Sequence, residues 1–295
     1  MRLSVAFPNV GPALDRAALR DYAIGLEAAG ADFLMVVDHV VYAWPAADGT
    51  QRSQYRPTMW QLEPFATMGF LAGITERVGL ETGIVILPQR PPALVAKDVA
   101  TLDVLSGGRV RLGVGIGWQE AEYEAMGVPF SQRGARMDEA IPVLKQLWTE
   151  EHASFKGRFY TLDDVCAEPK PLQQPHPPII FGGTNERALE RAGRLGNGWV
   201  AGPATPPDRF ASGRETVLAA ATAAGRAGEV SVFEGSIIPQ SPEPADALPA
   251  LKEHKAMGAT DMLFWMGATR DPGLRSLGDK LKYVERLRKD VWPQI

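Results

Sequence analysis

The chain has 295 residues, 45% hydrophobic and 22% charged, an ordinary globular balance that suits one large barrel or two small domains. Its 31 Lys and Arg against 35 Asp and Glu leave a formal charge of −4, which argues against nucleic acid or an anionic membrane as partner. The lone cysteine, Cys166, closes no internal disulfide and points to a reducing cytoplasm; the first residues lack a signal-peptide core, and no window approaches the ~18 apolar residues of a membrane span.

Short apolar, β-branched runs alternate with longer amphipathic ones. Residues 3–8 predict a first strand. Over 15–30, Leu19, Ala23, Leu26 and Ala29 recur at helical spacing and Gly30 supplies the stop. Residues 32–39 predict a second strand, nearly all apolar, as when both faces are buried in a parallel sheet. A helix over 62–75 and a third strand over 78–87 follow. Residues 92–108 predict a helix ending on Gly107 and Gly108, and 109–117 a fourth strand. Ser131 opens a helix over 131–150. Then come a strand at 178–183, a helix at 185–196, a short strand at 198–202 and a helix at 207–225. A strand at 230–239, a helix at 245–258, a strand at 260–267 and a helix near 273–290 close the chain.

Eight strand–helix units without an evident linker favour a single α/β domain over 1–295, a (β/α)8 TIM barrel, ahead of an open doubly wound sheet. Two long non-periodic insertions break the rhythm, one at 40–61 in the loop after strand 2 and one at 151–177 before strand 5. The first falls on the C-terminal face of such a barrel, where catalytic residues concentrate.

Several features there could carry chemistry. Strand 4 has glycine at every second position: Gly113, Gly115 and Gly117. The spacing fails the dinucleotide fingerprint, whose third glycine comes one residue later. The small residues admit either a bulky neighbour or a flat ligand. Gly182-Gly183-Thr184-Asn185 joins a strand to a helix, where exposed N–H groups and the helix dipole suit a phosphate; a tight turn with an Asn or Thr cap explains it equally. Asp38-His39 ends strand 2, and of the 4 histidines only His39 falls at a strand's C-terminal end. It can exchange a proton near neutral pH, or be a core histidine bonded to backbone. Tyr42, Trp44, Tyr55 and Trp60 in the following loop could wall a pocket or anchor the loop. One histidine beside one aspartate supplies no metal cage, so no metal is expected. No Gly-x-Ser-x-Gly elbow occurs, and Cys166 lies in an insertion as a bystander thiol.

Residues 94–148, 181–200 and the "VVDHV" of 36–40 together resemble the bacterial luciferase-like monooxygenase superfamily, and within it the coenzyme F420-dependent oxidoreductases. The resemblance runs over essentially the whole chain. It implies a (β/α)8 barrel that binds FMN or coenzyme F420 at the C-terminal ends of its strands, with Gly115 and Gly117 helping to shape the ring pocket. It implies that His39, with Asp38 beside it, lies near the reactive face of the ring. Gly83-Ile84 matches a position where many members carry a non-prolyl cis peptide that props the ring. Gly182, Gly183 and Thr184 match the segment that contacts the cofactor phosphate.

The chain also departs from its relatives. Deazaflavin sugar-phosphate dehydrogenases place a glutamate directly after the strand 4 glycines, where this chain has Trp118. They place a tryptophan four residues after the histidine, where this chain has Ala43, with Trp44 next. Trp118, Trp44 and Trp60 are thus expected around a more apolar substrate pocket, and a sugar phosphate is not the expected substrate. Arg90 and Lys97 are open to two readings, as partners of cofactor phosphate or tail carboxylates and as solvent-facing charges. The resemblance implies an oxidoreductase moving a hydride between coenzyme F420 and a small organic substrate, with His39 handling the companion proton or polarising the substrate oxygen. The alternatives are a monooxygenase using reduced FMN and oxygen, a non-catalytic flavin-binding barrel and, outside the family, a metal-dependent hydrolase. Family members are often dimers, so a homodimer is a further expectation.

Overall fold

Strands with apolar residues on both faces need helices outside and side chains inside. The computed structural model, which describes residues 1–11, 14–53, 55–203, 205–266 and 272–295, meets this need by closing the sheet on itself. The barrel strands are β1 (Arg2–Ala6), β2 (Phe33–Val36), β3 (Gly79–Thr82), β4 (Val110–Gly115), β5 (Ile179–Gly182), β6 (Gly198–Val200), β7 (Val232–Ile237) and β8 (Asp261–Phe264). Each pairs in parallel with the next, and β8 returns to β1, so no edge is left open. Residue 267 of the last expected strand lies outside the described residues.

The helices are α1 (Arg16–Ala28), α2 (Pro64–Ala72), α3 (Pro92–Ser106), α4 (Glu120–Ala125), α5 (Arg133–Thr149), α6 (Glu186–Leu195), α7 (Pro207–Ala223), α8 (Leu248–Ala256) and α9 (Leu277–Arg286). Their starts follow local chemistry. Asp15 accepts the Ala18 N–H at the head of α1, and α2, α3 and α7 begin with proline, which has no N–H to leave unpaired. Ser131 does not open α5. It lies inside a 3-10 turn, Phe130–Gln132, and the helix starts at Arg133 without a side-chain cap. The segment 151–177 is not wholly irregular, because Ala153–Lys156 and Thr161–Val165 form an antiparallel hairpin. The loop after β2 closes on a two-residue ladder between Trp60–Gln61 and Val10–Gly11.

Alternation along the strands sorts side chains between two environments. Leu3 and Val5, Leu34 and Val36, and Met262 and Phe264 join the large core under the helices. Ala6, Met35 and Leu263 pack together in a separate cluster inside the barrel, and Ile180, Val200 and Val232 in another. Nearer the N-terminal end the interior is charged. Arg111 bonds Glu81 at 2.9 Å and Asp261 at 3.1 Å, with its guanidinium 3.7 Å from the Phe33 ring centroid. Glu234 is fully buried beside them.

Burial and the neighbouring Glu81 carboxylate push the Glu234 carboxyl well above the usual carboxylate range. A group whose pKa is raised by folding contributes stability below its unfolded pKa, about 4.3, and loses it as pH rises toward the folded value. Glu234→Gln removes that loss. The variant is expected to be at least as stable as the wild type at pH ~8 and to lose less stability between pH ~5 and ~8. Melting temperatures across that range check this, and a steeper loss in the variant contradicts it.

Candidate active site

His39 owes its position to a break in β2. Beyond Val36 the backbone leaves the sheet because Asn9 captures Val37, donating from Nδ2 to its carbonyl at 2.8 Å and accepting its N–H at 3.1 Å. Met35, Val37 and His39 then fall two apart, on the interior side. The His39 Nδ1 lies 2.9 Å from Glu122 Oε2, and the other Glu122 oxygen accepts the Val40 N–H. Glu122 is fully buried on α4. A carboxylate can only accept there, so Nδ1 carries the hydrogen and Nε2 is left for a ligand. The rings of Tyr55, Trp118 and Tyr42 surround the imidazole at 4.9, 5.5 and 5.8 Å, leaving its side chain 7% exposed. The Tyr42 hydroxyl donates to Gln61, and Gln119 Nε2 donates to the Val41 carbonyl at 2.6 Å, pinning the loop.

Beside this pair β3 is interrupted. The Gly83–Ile84 peptide bond is cis, and Val85–Ile86 resumes the pairing with β4. Asp38 supports the turn: one oxygen accepts the Ile86 N–H at 2.9 Å and the other meets Arg90 at 2.8 Å. Burial raises the Asp38 carboxyl despite Arg90. The cis turn sends the Ile84 side chain over β4 and β5. A methyl group on Gly115 would come within 2.5 Å of it, and one on Gly182 within 2.8 Å. A methyl on Gly113 would fall on the Thr82 carbonyl oxygen. The glycine strand thus admits a bulky neighbour, and Ile84 is that neighbour.

The β5–α6 turn lies across the mouth. Gly183 has φ +117°, a conformation that favours glycine, and its carbonyl accepts the Trp199 indole N–H at 2.7 Å. Asn185 caps α6, accepting the Ala188 N–H at 3.0 Å, while Gly183, Thr184, Asn185, Glu186 and Arg187 are exposed. A cavity of about 590 Å³ opens here between the N-termini of α5 and α6, lined by Ile116, Ser131, Arg133, Asn185, Arg187 and Arg191. Arg191 is committed to Asp138 at 2.8 Å.

The structure therefore brings together His39, Asp38, Gly83, Ile84, Gly115 and Gly182, with the Gly183–Thr184 turn following β5. Gly117, at φ +66°, is packed against Ile86. Trp118 joins the His39 cluster and is 40% exposed. Trp44 stands 66% exposed on the loop, and Trp60 packs on the helix-side core. Arg90 is held by Asp38 and Glu63, and Lys97 donates to the Glu168 carbonyl. Among the described residues, no group of three or more His, Cys, Asp and Glu could hold a metal ion, and no helix is long and apolar enough to cross a membrane. Glu122 escaped the sequence reading; the only signal was a short acidic run, Glu120-Ala121-Glu122, just after the glycine strand.

Comparison with known proteins agrees with this architecture. A family model described as luciferase-like monooxygenase matches residues 1–278. An uncharacterized protein of Mycobacterium tuberculosis is 31% identical over 280 residues, 91% of this chain and 92% of that one. An FMNH2-dependent dimethylsulfone monooxygenase of Pseudomonas putida is 34% identical over 181 residues, 60% of this chain and 49% of that one. Among solved structures, an F420-dependent secondary alcohol dehydrogenase bound to an F420–acetone adduct has the same fold, with TM-score 0.78 at 18% identity over 99% of this chain and 98% of that one.

Proposed function

Because this chain belongs to the luciferase-like monooxygenase family, we propose that it is a coenzyme F420-dependent oxidoreductase acting on a small organic molecule at the C-terminal mouth of the barrel. The observation that carries the reading is Ile84, lying against Gly115 and Gly182 at the same barrel mouth as the His39–Glu122 pair. Its branched side chain offers an apolar surface suited to the face of a planar ring. Across the mouth, the Gly183 turn and the free first-turn N–H groups of α6 suit a phosphate. Arg133 and Arg187 at the adjoining cavity suit tail carboxylates, which coenzyme F420 has and FMN lacks.

When bound, the deazaflavin supplies hydride transfer at ring carbon C5. The chain supplies the rest. Glu122 fixes the imidazole so that Nε2 gives or takes the accompanying proton, or polarises the substrate oxygen. Tyr42, Tyr55 and Trp118 surround the imidazole and limit its contact with bulk water. A second reading, oxygenation with reduced FMN, is favoured by the likeness to the Pseudomonas putida enzyme.

Anaerobic mixing of the protein with coenzyme F420 and a panel of neutral alcohols tests the proposal. Loss of the oxidised cofactor's absorbance without oxygen is expected. Substrate conversion that needs reduced FMN and oxygen instead overturns it in favour of the second reading. Gly183→Val is expected to weaken cofactor binding about 10- to 100-fold, the range for hydrogen bonds to a charged group, and to lower the melting temperature as well, because φ is +117° there and the added Cβ would lie 2.9 Å from Ala188. Unchanged fluorescence titration curves contradict the placement of the phosphate.

A further inference from the structure

The interior apolar cluster of Ala6, Met35 and Leu263 is topped by Val37 and Trp265. Trp265 follows Leu263 by two residues, so it faces the same interior side one step nearer the mouth. Its backbone is fixed to β7, donating to the Ile237 carbonyl at 2.9 Å. Its indole Nε1 is buried and has no hydrogen-bond partner among the described residues. That is costly for an indole N–H, which usually finds an acceptor when buried. The apolar side chains of this cluster offer none. Three other indoles are satisfied by backbone carbonyls: Trp148 by Ala96, Trp199 by Gly183 and Trp292 by Met1.

The wall belongs to β8, β1 and β2, and His39 follows β2, while the phosphate turn follows β5. Around the same mouth, Val40 is 46% exposed and Val41 39%, giving an apolar rim with Trp44 and Trp118. Beside this wall, Glu122 bonds His39 and Asp38 pairs with Arg90.

From this we infer that Trp265 is a specificity-determining residue whose indole N–H donates to the acceptor oxygen of an apolar, neutral carbonyl compound held against the Ala6–Met35–Leu263 wall. The inference rests on the proposed oxidoreductase reading for its chemistry, since a carbonyl is the oxidised partner of an alcohol, but the binding contact stands without the cofactor.

The test uses the full chain labelled with 15N at tryptophan and two probes of like shape, cyclohexanone and methylenecyclohexane, each with and without coenzyme F420. The Trp265 indole resonance is assigned with Trp265→Phe or, if that variant does not fold, from contacts to the Ala6 and Leu263 methyls. Cyclohexanone is expected to move the Trp265 N–H resonance downfield, and methylenecyclohexane to leave it in place. Trp265→Phe is expected to weaken cyclohexanone binding about fivefold, as for one neutral hydrogen bond, and to leave methylenecyclohexane binding unchanged. Equal shifts with both probes, no indole shift with the ketone, or a shift fully produced by coenzyme F420 alone overturns the inference. Failure of the cofactor reading is a separate result, namely no saturable change with coenzyme F420 while the ketone arm without cofactor still responds.

Discussion

His39→Ala is expected to lower turnover about 10²- to 10⁴-fold, the usual contribution of a positioned acid–base group, while cofactor affinity changes little. The split follows from geometry. The imidazole lies under the aromatic rings of the β2 loop, and the phosphate turn lies across the barrel. Anaerobic rates and fluorescence titrations on one preparation separate the two effects. Equal turnover removes His39 from the chemistry. The partner carboxylate sharpens the test. Glu122→Gln offers one acceptor oxygen for two donors, the His39 Nδ1–H and the Val40 N–H, and loses the charge that stabilises an imidazolium. Its rate is expected to fall less than that of His39→Ala, and an unchanged rate contradicts a positioning role for Glu122.

Gly113→Ala carries the largest expected cost in stability. Its added methyl falls on the Thr82 carbonyl oxygen, a backbone atom of the adjacent strand that cannot swing aside. The same crossing is tied by the Thr82 hydroxyl, which donates to the Gly113 carbonyl at 2.7 Å. Relief requires β3 to move away from β4, against pairing on both sides. The loss is put at about 3 kcal/mol or more, the upper end of overpacking, or a melting temperature lower by about 5 °C or more. A near-native melt contradicts the described seat. Gly115→Ala meets only the mobile end of Ile84 and is expected to cost less.

Much of this arrangement is legible in the sequence because it rests on patterns a few residues long. The alternation of apolar and amphipathic runs identifies the barrel, and the carboxyl end of the second run places His39. The turn at Gly182–Asn185 is readable from its glycines and cap. What escapes depends on pairs far apart in the chain. Glu122 approaches His39 from 83 residues away, on a six-residue helix too short and too acidic to show a period. The purpose of the strand 4 glycines needs the register of β4 against Val85–Ile86 and β5. The buried Arg111 layer draws its carboxylates from three other strands. Ser131 carries a cap-like residue type but sits one residue before the N-cap position, Gln132, where the chain tightens into a 3-10 turn rather than starting α5.

The claim that a planar redox cofactor lies in the barrel mouth, its ring by Ile84 and its phosphate at α6, is tested most directly by titrating the protein in parallel with coenzyme F420 and with FMN, following cofactor fluorescence. Saturable binding is predicted for coenzyme F420, weaker binding for FMN, and a marked loss of both in Gly183→Val. Absence of saturable binding with either cofactor contradicts the account.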